Sequence, residues 1–285
     1  MKLIEPERIL KKLELEDLPQ PEVAPLRYPL LLCHGYGALA AVIKPSPMHE
    51  VCMLLRRHGV LAFAPNIVPY ASIETRAAEW ERILETLCES LGVEKLNVIA
   101  HSMSGLDMRY ALQELTCARH VASLTTLATP HNGTSLAELV LKTPDNVRTL
   151  LGDAFNWFGN HVYPHSRSDA IGAVKQLTRE YVASTFNPAI TDTMGVPLLS
   201  WSAATGKGTD QPLNPVYRYQ NHHIFDQEGI NDSFVSVASA SRGDHLGTLP
   251  LSHLEQLGLS LSRERKRLYE SIWFDIVQTL KRRGY

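Results

Sequence analysis

The sequence predicts an α/β fold: a mostly parallel, doubly wound sheet carrying one inserted helical segment. Three observations lead there. The 285 residues are 44% hydrophobic and 20% charged, which is enough apolar material for a sizeable core and unlike a disordered chain. From Tyr28 onward, short apolar runs alternate with longer segments of helical period, the pattern of strands joined by crossover helices. After Pro130 that rhythm stops, and it resumes near Val196 as it would around an insertion.

Residues 1–27 are charged and then rich in proline (Pro19, Pro21, Pro25), and read as a short helix followed by an extended lead-in. The single domain then runs over 28–285. Apolar runs at 28–33, 60–65, 96–100 and 121–128 read as strands, and the segments 47–58, 73–91 and 104–115 between them are long enough to cross back over a parallel sheet. The stretch 135–178 carries Leu139, Val140, Leu141, Leu150, Leu151, Phe155, Trp157 and Phe158 without strand alternation, and is expected to form a helical lid. Strands are expected again at 196–201 and 222–225, with a closing amphipathic helix over 263–283 built on Leu268, Ile272, Trp273, Ile276 and Leu280.

Several function classes drop out on composition. Lys plus Arg number 28 and Asp plus Glu 30, a net charge of −2, so no basic field would draw nucleic acid. No run approaches the ~18 apolar residues of a membrane span. Lys2, Glu5, Glu7 and Arg8 interrupt the start where a signal peptide needs an apolar stretch, so a cytoplasmic protein is expected. Cys33, Cys52, Cys88 and Cys117 form no CxxC pair and read as buried thiols. Glycine at the first strand's end does not extend to G-x-G-x-x-G, which argues against a dinucleotide enzyme.

Chemistry concentrates where an apolar strand runs into Ala100-His101-Ser102-Met103-Ser104 and then a helix. A serine on so sharp a strand-to-helix turn is strained, and the residues two places either side must be small for the backbones to pass. Ala100 and Ser104 meet that need where G-x-S-x-G has glycines. The plain alternative is that Ser102 or Ser104 only caps the helix. A hydroxyl nucleophile needs a base and an acid, which follow in chain order in such folds. Asp232, in a turn, and His253, before the last helix, are the favoured pair; Asp226 and His245 are the competitors. The oxyanion donors would be the backbone N–H groups of Met103 and, from the glycine-bearing loop after the first strand, Tyr36.

Four blocks of the chain, 28–37, 97–110, 121–134 and 228–258, resemble the bacterial and fungal triacylglycerol lipases of the α/β-hydrolase superfamily. The resemblance implies an α/β-hydrolase fold, with Ser102 as nucleophile, Asp232 as acid, His253 as base, and Tyr36 with Met103 as oxyanion donors. It implies a lipase or esterase acting on a lipid or small ester, with 135–178 as a lid that opens at a lipid surface. Ser104 and Ser233 depart from it, standing where these lipases have glycine. The bacterial branch also binds a structural Ca²⁺. The nearest counterparts of its ligands are Asn214, which is neutral, and Glu255, which is longer than aspartate, so a hard cation would be held weakly and no cofactor is expected. Zinc at His161 with His165, or at His222 with His223, is disfavoured by Pro164 and by the opposite facing of neighbouring strand residues. Two rival readings remain: an acyltransferase, which shares the first half-reaction, and a silent lipid-binding scaffold.

Overall fold

The computed structural model describes residues 25–36, 46–144, 168–192, 195–259 and 262–285. Six parallel strands form one sheet in the order β2-β1-β3-β4-β5-β6: β1 (Leu30–Cys33), β2 (Ala62–Phe63), β3 (Leu96–His101), β4 (Val121–Leu127), β5 (Leu198–Ala203) and β6 (Asp244–Leu249). The helices used below are α1 (His49–Arg57), α2 (Ile73–Leu91), α3 (Ser104–Glu114), α4 (Ser135–Leu141), α5 (Ala170–Lys175), α6 (Arg218–Glu228), α7 (Val237–Ala240) and α8 (Arg263–Arg282).

Both faces of the sheet are covered, and the strands show why. Leu30, Leu32 and Ile99 face a core shared with Val51 and Leu55 of α1 and with Tyr269, Trp273 and Ile276 of α8. Their neighbours Leu31, Cys33, Val98 and Ala100 face the opposite core, against Trp80 and Leu84 of α2 and Met108 of α3. Apolar residues on both sides of the pleat leave no solvent face, as a central parallel strand requires. Ser72 caps α2, accepting from Thr75 N–H at 3.3 Å, and Gly92 ends it in the left-handed region with φ 63°.

The strand order places the site. The chain leaves β1 for β2 on one side and returns to β3 on the other, so the C-terminal ends of β1 and β3 flank a topological switch point. His34-Gly35-Tyr36 leaves one end and Ser102 the other.

Two expectations need correcting. Residues 222–225 lie within α6, not a strand; only Asn221 and Ile224 of that helix are buried, so two apolar residues mimicked a short strand. The sixth strand is β6, an exposed edge whose Asp244, His245 and Gly247 hide any alternation. All four cysteines are buried and free. No helix among the described residues is long and apolar enough to cross a membrane. In the expected lid stretch, α4 and α5 are described; Leu150, Leu151, Phe155, Trp157, Phe158, His161 and His165 lie outside the described residues, as does 1–24 of the lead-in.

Candidate active site

Ser102 sits at the turn from β3 into α3 with φ 61°, a left-handed conformation costly for a side chain with a Cβ. Its surroundings hold it there. Ser102 N–H donates to Leu127 O at 2.9 Å, and the Thr129 hydroxyl donates to Ser102 O at 2.8 Å. Three residues on, a Cβ at Gly105 would come within 2.1 Å of Thr129 Oγ1, so only glycine lets helix and loop pass.

Across from Ser102, His253 Nε2 lies 2.9 Å from Ser102 Oγ, and His253 Nδ1 lies 2.7 Å from Asp232 Oδ2. Asp232 is fully buried and His253 nearly so. A second bond couples the two loops, His253 N–H to Asp232 O at 3.0 Å. A carboxylate on Nδ1 leaves that nitrogen protonated and turns the Nε2 lone pair toward the serine hydroxyl. Phe234 stacks on the imidazole, 4.7 Å between ring centres at 19°, and His101 packs on it at 4.5 Å.

The loop after β1 is fixed with equal care. His34 Nε2 accepts from Ile67 N–H at 3.2 Å, which leaves the proton on Nδ1, and that nitrogen donates to Gly35 O at 3.0 Å. In a trans peptide the N–H points away from the carbonyl, so pinning Gly35 O turns Tyr36 N–H the other way. Burial, reinforced by the Arg76 charge, holds His34 neutral by pushing its pKa down to about 3. Arg76, itself buried, donates to His34 O at 2.6 Å, to Val68 O at 2.8 Å and to Asp107 Oδ2 at 2.8 Å. Met103 N belongs to the first turn of α3, where amides lack intrahelical acceptors. The position of a Cβ on Gly35 lies 2.9 Å from Met103 N, so the two donor-bearing segments are in contact.

A model described as the alpha/beta hydrolase fold matches residues 28–228. The chain belongs to the alpha/beta hydrolase fold family. It is similar to a triacylglycerol lipase of Pseudarthrobacter phenanthrenivorans, 30% identical over 200 residues that cover 66% of this chain and 60% of that protein. It is also similar to a triacylglycerol lipase of Pseudomonas fragi, 24% identical over 288 residues, 90% and 97% of the two chains. The structure of Staphylococcus hyicus lipase superposes with a TM-score of 0.68 at 17% identity, over 94% of this chain and 100% of that one, a likeness of fold. This chain thus spans 60% of the length of the Pseudarthrobacter relative.

Within this alpha/beta hydrolase the two serine departures have local explanations. The Ser104 hydroxyl is buried, 2.8 Å from both Cys33 O and His101 O, and ties α3 to the ends of β1 and β3. Ser233 adopts φ 82°, held by its N–H to Asn231 Oδ1 at 2.9 Å and by Gln220 Nε2 donating to its carbonyl at 2.7 Å. Neither competitor takes part in the chain of hydrogen bonds from Ser102 to Asp232. Asp226 pairs with Lys207 at the surface, and His245 is exposed on β6 beside Ser202.

The residues weighed for calcium do not fit it. Asn214 Oδ1 accepts from Val216 N–H at 3.1 Å. Glu255 takes Arg265 on both oxygens, at 2.8 and 2.7 Å, along with the N–H and hydroxyl of Ser252. Burial works to raise the Glu255 carboxyl, and the bonds from Arg265 and Ser252 outweigh it, leaving it below its usual range. A guanidinium fills the position a cation would need. His222 and His223 share α6, and the described residues hold no cluster of three potential metal ligands.

Sequence reasoning missed His34 and Arg76 around the loop after β1 and Phe234 beside His253. A signal for Arg76 was present: it falls in the apolar stripe Ile73, Arg76, Ala77, Trp80 of α2, where a charge needs a buried partner.

Proposed function

We propose that this protein is a serine carboxylic-ester hydrolase, a lipase or esterase, that cleaves apolar acyl esters such as acylglycerols through an acyl-enzyme on Ser102. The observation that carries the reading is the unbroken chain from Ser102 Oγ to His253 Nε2 and from His253 Nδ1 to Asp232, 2.9 and 2.7 Å long. His253 takes the hydroxyl proton as Ser102 Oγ attacks the ester carbonyl, and Asp232 holds the imidazole tautomer and stabilises the imidazolium. The carbonyl oxygen becomes an oxyanion between the N–H groups of Tyr36 and Met103, each worth about 3 kcal/mol. His253 then returns the proton to the leaving alkoxide. In the second half His253 takes a proton from a water that attacks the acyl-enzyme, then gives it to Ser102 Oγ as the acyl–oxygen bond breaks, which frees the acid and restores the serine.

Preference for an apolar acyl group is supported by the similarity to triacylglycerol lipases. The residues beside the loop after β1 form a buried core. Tyr36, Met103 and Leu106 belong to one apolar cluster with Val182, Phe186 and Ile190. Hydrolysis of p-nitrophenyl esters from acetate to palmitate, with Ser102→Ala in parallel and products analysed in the presence of a competing alcohol, tests the proposal. Turnover abolished by the substitution, with free acid as product, is expected. Ester cleavage retained by Ser102→Ala would overturn the reading, and acyl transfer to the alcohol in preference to water would make the protein an acyltransferase.

A further inference from the structure

The Asp232 carboxylate has about four acceptor positions. Oδ1 takes the N–H groups of Phe234 and Val235 at 2.9 and 2.8 Å, and Oδ2 takes His253 Nδ1 at 2.7 Å. The fourth contact comes from Gln256 Nε2, 3.1 Å from Oδ2. Its orientation follows from its neighbours. The same nitrogen lies 3.5 Å from Ser252 O, and both of these partners can only accept, so the amide presents its nitrogen to them. Gln256 Oε1 therefore points away, and it is buried with no hydrogen-bond partner among the described residues. So is Nε2 of His101, the residue packed on the other side of His253. Burial, followed by the charge of His253, keeps His101 neutral. The Gln256 backbone is anchored independently, its carbonyl accepting from Trp273 Nε1 at 2.9 Å.

We propose that Gln256 is a positioning residue of the active site, its amide nitrogen filling the last acceptor position of Asp232. A glutamine here does what an apolar residue of the same size does not. It fixes the carboxylate plane on which the imidazole aligns, and it draws charge from the oxygen that faces His253. Removing the donor leaves more negative charge to stabilise the His253 imidazolium, so the base takes up its proton at a higher pH. The other titratable or charged groups around His253 are Asp232 on its loop, Ser102 and His101 at the end of β3, and the Glu255–Arg265 pair joining its turn to α8.

The proposal rests on the serine-hydrolase reading of the site, and the test separates the two. Wild type, Gln256→Leu and Gln256→Met are labelled with an organophosphonate ester, and kcat and KM for p-nitrophenyl butyrate are measured across pH. Thermal melting of each variant runs alongside. Expected is a kcat for Gln256→Leu about tenfold lower with KM little changed, and an acid limb of kcat/KM displaced upward by about half a pH unit or more. Gln256→Met, which keeps the length of the side chain and removes the donor, shifts the limb in the same direction. A melting temperature that falls while the acid limb stays in place in both variants overturns the proposal and leaves Gln256 a packing residue. If Gln256→Leu does not fold, the methionine variant decides alone by the same criterion. Wild type that resists the phosphonate removes the hydrolase reading, and the role of Gln256 with it.

Discussion

Replacing Gly35 by alanine is the sharpest test of where the oxyanion sits. An added Cβ would lie 2.6 Å from Ser102 Cβ, 2.9 Å from His101 O and 2.9 Å from Met103 N. Ordinary contact begins at 3.4 Å, so the nearest of these overlaps by about 0.8 Å. None of the three is a flexible side-chain tip; all belong to the elbow, which is held through both amide and carbonyl of Ser102. The loop must therefore retreat, carrying Tyr36 N–H with it, and a hydrogen bond stretched by about half an ångström or more is largely lost. One donor of this kind is worth about 3 kcal/mol, so kcat should fall on the order of a hundredfold. KM should change little, because the interaction forms with the oxyanion and not with the bound ester. Overpacking should also lower stability by about 1–3 kcal/mol. Steady-state hydrolysis of p-nitrophenyl butyrate and a urea melt measure both. Gly35→Ala with wild-type kcat would refute the argument, because it would mean that this loop supplies no donor.

Stability should fall with acid well above the range of ordinary carboxylates. His34 titrates at about 3, and burial holds His101 and His131 well below their usual range. Below about pH 6.5 the unfolded chain binds protons that these three refuse when folded, so each costs up to about 1.4 kcal/mol per pH unit, and a urea-melt free energy that is flat from pH 7 to pH 5 would contradict this. Ser104→Gly removes a buried hydroxyl that ties α3 to two strand ends and should cost about 1–2 kcal/mol, with the loss in the unfolding free energy exceeding the loss in activation free energy; no change in stability would refute the tie. Glu255→Ala leaves Arg265 without its carboxylate at a site only partly open to water, and should cost about 2 kcal/mol in a denaturant melt. EDTA should leave the wild-type melting temperature unchanged, and a fall on chelation would restore the calcium reading.

The elements legible in the sequence were those whose residues answer to local rules. β1 stands out because a strand buried on both faces needs an unbroken apolar run, β3 and β4 because their apolar residues outnumber the few polar ones they bury, and the elbow because Ser102 requires small residues at 100 and 104. Asp232 and His253 were within reach because their order along the chain is constrained by the sheet. What escaped was decided by tertiary placement. β6 is an edge strand that tolerates Asp244 and His245 on its exposed surface. α6 was obscured because it buries so little of itself. His34, Arg76 and Gln256 act through backbone carbonyls and through Asp107 or Asp232, and no spacing rule foretells those partners.

The polar groups around the site make poor sense as stabilisers. Burial pushes the Asp107 carboxyl up to about 7, against the pull of Arg76 bonded to it, so much of the attraction in that pair is spent on desolvation. His34 and His101 weaken the fold further as soon as the pH drops. Ser102 adds a strained backbone, and Ser233 does so in the acid loop. An apolar core of the same volume would avoid these costs. These groups nonetheless fix directions: Arg76 holds the His34–Gly35 peptide, the His34 ring turns the Gly35–Tyr36 peptide, and the hydrogen bonds to Asp232 orient the carboxylate facing the imidazole. Directions, unlike contacts, cannot be set by apolar packing, because dispersion has no preferred angle whereas a hydrogen bond does. The switch point between β1 and β3 brings the loop and the elbow together, and the buried polar groups then fix the orientation of the peptide on the one and of the hydroxyl on the other. It follows that substitutions of these groups should lower kcat out of proportion to their effect on KM, whereas those in the apolar cores behind α2 and α8 should lower stability first.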